Sequence, residues 1–198
     1  MRFQYGDDID KALVKVISHE FSRCDFAFKL YIDLKTKTYL RKKVKDNNID
    51  LMVYNAYSLF IQHLYEYFQG CLIRDCLDTR KIPHETIDLL VNNEVNKILN
   101  IWRTLIDIGK APSWANDRNY YEGTVPDEFG LHFRNVRNNV AHVDYRRVDG
   151  GNRITLTNFF DRYHKYIMLL YYNGREWWDI SGSEELDFGD ITSFNKLT

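Results

Sequence analysis

Arg137 and His142 stand with four residues between them in the stretch Phe133-Arg134-Asn135-Val136-Arg137-Asn138-Asn139-Val140-Ala141-His142-Val143-Asp144-Tyr145. Arginine holds a phosphate bidentately and stabilises charge that develops on it in a transition state. Histidine is the side chain best matched to proton transfer near neutral pH. The two together suffice for RNA cleavage without a metal, in which a ribose 2′-OH attacks the adjacent phosphate. Asn138 directly follows the arginine and Ala141 directly precedes the histidine. The spacing alone is weak information, since about one such match arises by chance in a chain of this composition. The structural alternative is a surface ion pair for Arg137 and a helix C-terminus closed by His142, where a cation is favoured.

Geometry sets a condition on this pair. Five residues along an ideal helix rotate by roughly 500°, which leaves the two side chains about 140° apart. They converge poorly unless His142 lies at or beyond a fraying helix end.

The rest of the chain must then provide a scaffold. Its 198 residues set one domain as the expectation, with room for a sizeable core. Apolar residues make up 44% and aromatics 15%, which excludes a disordered chain. A net charge of −1 carries no global signal for nucleic acid, so any RNA site must be a local basic patch. Three cysteines (Cys24, Cys71, Cys76) are an odd number without a secreted framework, and reduced thiols in the cytoplasm are expected. Neither a signal-type leader nor a membrane-length apolar run is visible.

Apolar spacing predicts five helices. The first covers roughly 9–38, capped by Asp7 or Asp8. The second runs from Ile49 to about Leu77, with a broad apolar face, and carries His63 and Glu66 on neighbouring surface positions. Gly70 within it permits close helix approach. Pro83 suits the first position of a third helix, which ends at Gly109. Pro126 starts a fourth, with Asp127 and Glu128 in its first turn and a core stripe of Phe129, Phe133, Val136 and Val140. Its other face shows Arg134, Asn138 and His142, with Arg137 alongside. Thr157 caps a fifth helix that ends at Asn173-Gly174, and an acidic, Gly/Ser-rich tail follows from about 174. A minor hairpin near Arg153–Leu156 is the most sheet that the pattern allows. The fold class is therefore all-α, an antiparallel helical bundle.

Between the third and fourth helices, residues 110–125 form a long irregular loop. Its Trp114, Arg118, Tyr120 and Tyr121 either stack on bases and hold phosphate, or pin the loop to the bundle. No phosphate-binding glycine loop occurs, so nucleotide-triphosphate and dinucleotide chemistry lacks its usual cradle. The other histidines occur without a paired ligand at helical spacing, so neither a metal nor a cofactor is expected.

The order of helices and the Arg-Asn-x-x-Ala-His motif late in the chain resemble the HEPN family (higher eukaryotes and prokaryotes nucleotide-binding domains). The resemblance implies a homodimeric, metal-independent endoribonuclease of the kind found in defence and toxin–antitoxin systems. It makes Arg137, His142 and Asn138 the catalytic set and Glu66 a supporting polar residue on an earlier helix. Arg134, Tyr145, Arg146 and Arg147 become RNA-binding residues. In family toxins that pair with a nucleotidyltransferase-type antitoxin, a tyrosine stands two residues after the histidine; here Tyr145 stands three after it. The partners implied are RNA, a second copy, and an antitoxin or other defence-system protein. The alternative is a HEPN-fold dimerisation or adaptor module that binds RNA, nucleotide or protein without cutting.

Overall fold

The computed structural model describes residues 1–40, 47–141, 154–177, 188 and 191, with only the backbone at 40, 141, 176 and 177. Among the described residues, five α-helices and one 3-10 turn make up the fold. They are α1 (Asp8–Leu40), α2 (Asn47–Asp75), α3 (His84–Asp107), the 3-10 turn Arg118–Tyr121, α4 (Phe129–Ala141) and α5 (Leu156–Trp177). Among the described residues no strand forms, and one isolated bridge joins Arg2 to Asp78. The architecture is the all-α helical bundle that the apolar spacing predicts. No described helix is long and apolar enough to cross a membrane.

Helix α1 starts where Asp7 accepts the Asp10 backbone N–H at 2.9 Å, an N-cap that satisfies one of the helix's unpaired donors. It runs antiparallel to α2. Arg74 near the end of α2 donates to Asp10 at 2.7 Å, and Cys24 and Phe60 meet midway. Gly70 lets the two backbones close up, since a Cβ there would sit 2.7 Å from Ile17. Aromatic rings fill the shared core: Tyr171 of α5 lies against Phe21, Phe28 and Phe60, and its hydroxyl donates to buried Asp25 at 2.6 Å. Helix α4 runs antiparallel to both α3 and α5, with Phe129 and Phe133 packed on Phe159.

Three boundaries differ from those that local sequence signals predict, each for a tertiary reason. Helix α4 begins at Phe129, not at Pro126; Pro126 opens the turn before it and accepts the Phe129 N–H at 2.9 Å. The capping comes from outside the helix. Asn92 of α3 accepts the Gly130 N–H at 2.8 Å and donates to the Asp127 carbonyl at 2.7 Å. Helix α5 is capped by Thr155, whose hydroxyl accepts the Asn158 N–H at 3.1 Å, and Thr157 lies inside it. It also continues through Gly174, because that residue faces the bundle. A Cβ there would meet Tyr67 at 2.9 Å and Phe21 at 3.3 Å, so the glycine serves packing and not termination. The alternation over Arg153–Leu156 forms no strand in its described part, where Leu156 already belongs to α5.

Among the described glycines, Gly130 marks the closest approach. A Cβ added there would lie 2.2 Å from the Asp88 carbonyl oxygen and 2.7 Å from its Cα, both rigid helical backbone. Gly130→Ala must push α3 and α4 apart, at a cost of about 3 kcal/mol, the upper end for overpacking. For a chain of this size the melting temperature should fall by about 6–12 °C. A fall of less than about 2 °C in thermal denaturation would refute the backbone contact.

Candidate functional site

Helix α4 is short and receives its position from neighbours on two sides. On one, Arg134 grips Asp88 of α3 with a planar fork, Nε to Oδ1 at 3.0 Å and Nη2 to Oδ2 at 2.8 Å. This pair is largely buried, and the Asp88 hydrogen bonds hold the guanidinium firmly protonated. On the other, Arg137 reaches α2. Its Nε donates to Glu66 Oε1 at 2.6 Å, Nη2 donates to the same oxygen, and Nη1 donates to Asn138 Oδ1 at 2.9 Å. The Arg137 and Glu66 side chains are each 28% exposed, so the pair lies at the rim and not in the core. Of the five guanidinium N–H groups, three are engaged and two remain without a partner among the described residues.

Tyr65 sits between the two pairs. The Arg137 guanidinium lies 5.9 Å from its ring centroid, and Phe133 packs edge-on at 5.2 Å. Its hydroxyl is buried and has no hydrogen-bond partner among the described residues. Burial pushes its pKa up to about 12; the carboxylates of Asp88 and Glu66 add to the rise and the two arginines oppose it.

The structure therefore brings Glu66, Arg137 and Asn138 into one contact network, and gives Arg134 to a separate pair with Asp88 one turn earlier. His142, Tyr145, Arg146 and Arg147 lie outside the described residues. Arg137 stands four residues before Ala141, the last residue of α4. What sequence reasoning missed is Asp88, together with the buried Tyr65. The signal for Asp88 was present: Asp88, Asn92 and Asn96 recur every four residues beside the apolar stripe Ile87, Val91, Val95 and Ile98. A polar row next to a core face is a row with internal partners.

Other histidines are engaged elsewhere. His63 is buried against Glu20 at 2.8 Å, facing α1 rather than Arg137. His132 bonds the Tyr163 hydroxyl at 2.8 Å, and His164 bonds that of Tyr57 at 3.0 Å. Burial lowers the pKa of both. Among the described residues no group of three or more His, Cys, Asp or Glu side chains is placed to hold a metal ion.

The 110–125 loop is pinned to the bundle, with Trp114 edge-on to Trp102 and Tyr120 packed against the core. Tyr121 is buried and stacks on Trp102 at 5.5 Å, and Arg118 pairs with Asp107 at 2.7 Å and with Glu122. Trp114 and Tyr120 line a cleft near the C-terminal end of α3.

In comparison with known proteins, no family model, no curated protein and no solved structure matches the chain.

The unpartnered hydroxyl gives a direct test of the Tyr65 environment. A buried, unsatisfied polar group costs about 1–3 kcal/mol. Tyr65→Phe removes it and leaves the ring, so denaturant unfolding should show equal or greater stability, by up to about 1 kcal/mol. A loss of more than about 1 kcal/mol would mean that the hydroxyl has a partner that stabilises it.

Proposed function

We propose that the chain is a metal-independent endoribonuclease of the HEPN type, working as a homodimer in a cytoplasmic defence or toxin–antitoxin system. The observation that carries this reading is Arg137 itself. It is partly exposed, fixed by a carboxylate from another helix and by its neighbour Asn138, and has two donors without a partner among the described residues. A positioned guanidinium with spare donors is what a phosphoryl transition state requires, and His142 follows five residues later in the chain.

In the proposed reaction His142 takes the proton from the ribose 2′-OH, or gives one to the leaving 5′-oxygen. The 2′-oxygen bonds to phosphorus as the bond to the 5′-oxygen breaks, which leaves a 2′,3′-cyclic phosphate and a 5′-hydroxyl. Arg137 stabilises charge on the pentacoordinate phosphate, and Asn138 orients it or contacts the phosphate. Glu66 holds the guanidinium plane. Tyr145, Arg146 and Arg147 serve the RNA backbone through local positive potential. Arg134, which is bound to Asp88, contributes to that potential only as half of an ion pair.

A second reading has its own support. Glu66 already neutralises Arg137, which suits a non-catalytic HEPN-fold module that dimerises or docks RNA, nucleotide or an antitoxin-type protein without cutting.

The two readings part on cleavage. His142→Ala and Arg137→Ala should each abolish cutting of unstructured RNA, with the thermal transition retained. Arg137→Lys should rescue little, because lysine cannot reproduce the planar fork. Cleavage should persist in chelator and require a 2′-OH at the cut. Arg146→Ala or Arg147→Ala should weaken RNA binding and flatten its salt dependence, as lost phosphate contacts do. If His142→Ala cuts as fast as wild type, or wild type cuts nothing with any partner supplied, the adaptor reading replaces the enzyme.

A further inference from the structure

Trp114 is 69% exposed, an unusual state for an indole held in a defined place. Its edge contact with Trp102 at 5.6 Å and the ion pairs of nearby Arg118 fix the loop that carries it. The ring forms one wall of a cleft of about 880 Å³ between the end of α3, the 110–125 loop and the last turns of α5. That volume lies within the range of small-molecule sites. A second exposed ring, Tyr172 at 50%, lines the cleft from α5, and Tyr120 lines it from the 3-10 turn with the Lys165 ammonium 4.9 Å from its centroid. Polar groups are few and of particular kinds. Asn116 and Asn173 line the cleft with their carboxamides, the nitrogen of Asn173 donating to Glu94 at 3.4 Å, and Arg175 is exposed with no ion pair among the described residues.

Each part recognises one feature of a ligand. Exposed indole and phenol faces bind flat rings by stacking, in a way that tolerates ring identity. Carboxamides pair with a ring edge that carries donors and acceptors. A guanidinium binds phosphate. The cleft is also remote from Arg137. Trp102 lies 14 residues along α3 from Asp88, the residue that anchors the Arg134 end of α4, which is about 21 Å at the helical rise.

We propose that this cleft is a binding site for a flat heteroaromatic ring joined to a phosphate, the chemistry of a nucleotide, with Trp114 and Tyr172 as stacking surfaces and Arg175 as phosphate anchor. The site is separate from the Arg137 cluster and does not rest on the ribonuclease reading. Two sources offer this chemistry: a free mononucleotide, or an unpaired nucleotide within RNA.

The test uses the full chain carrying His142→Ala, so that RNA survives the experiment, and follows binding by calorimetry and tryptophan fluorescence. Probes are AMP, UMP, ribose 5-phosphate, and a six-nucleotide unstructured RNA. Saturable binding of AMP or UMP, with ribose 5-phosphate at least tenfold weaker, supports a free-nucleotide site. Saturable binding of the RNA alone supports an RNA source. In either case Trp114→Ala should weaken binding roughly tenfold, Trp114→Phe should restore most of it, and Arg175→Gln should weaken it and reduce its salt dependence. Both residues are exposed, so melting temperatures should stay unchanged. The proposal is overturned if no probe binds saturably up to millimolar concentration. It is equally overturned if binding ignores Trp114→Ala and Arg175→Gln, or is lost in Arg137→Ala instead.

Discussion

The buried amide of Asn92 is the interaction on which the site's geometry depends. Its oxygen accepts the Gly130 N–H and its nitrogen donates to the Asp127 carbonyl, so one side chain of α3 both ends the preceding turn and starts α4. Around it runs a polar row along α3. Asn96 accepts the Val125 N–H at 2.9 Å, and Arg103 donates to the carbonyls of Tyr121 at 3.2 Å and Gly123 at 3.0 Å. All of these bonds except the exposed one to Gly123 satisfy a wholly or partly buried backbone group, which left unpaired would cost about 1–3 kcal/mol. The loop and the start of α4 are thus templated on α3. Gly130 then lets the two helices touch at backbone distance.

That templating matters because α4 has only 13 residues. An isolated helix of this length is marginal in water. Its core stripe of Phe129, Phe133 and Val136 fixes which face is inside, and the two arginines fix its rotation and register. Asp88–Arg134 is the stronger of the two pairs, since it is bidentate and mostly removed from water. Glu66–Arg137 lies at the rim, where an ion pair adds about 1 kcal/mol or less to stability. A pair that contributes so little to folding is available for another purpose.

How far the sequence reveals this depends on the range of each signal. Helix existence and the aromatic core follow from apolar spacing, which is a local property, and all five helices are where that spacing puts them. The ends are different. Pro126, Thr157 and Gly174 each carry a local signal for a helix terminus, and each is overruled: by the Asn92 cap, by Thr155, and by the closeness of Tyr67 and Phe21. Arg137 and Asn138 were visible as neighbours with useful chemistry. That Arg134 would be given over to Asp88 was not, because a partner 46 residues away leaves no mark beyond the polar row on α3.

The Glu66 carboxylate decides what kind of chemistry Arg137 can do. A phosphate that displaced Glu66 would leave a carboxylate beside an anion, partly desolvated, which is strongly unfavourable. Binding is favourable only if the phosphate adds to the remaining N–H groups while Glu66 stays in place. In that arrangement the net charge at the guanidinium is small for a ground-state phosphodiester. The carboxylate also fixes the guanidinium plane, so the N–H groups without a partner among the described residues are held with little reorganisation. Such an arginine is a poor affinity device and a good orientation device. In the proposed reaction, substrate affinity would then come from other cations, and the part left to Arg137 would be the additional negative charge that appears when phosphorus becomes pentacoordinate.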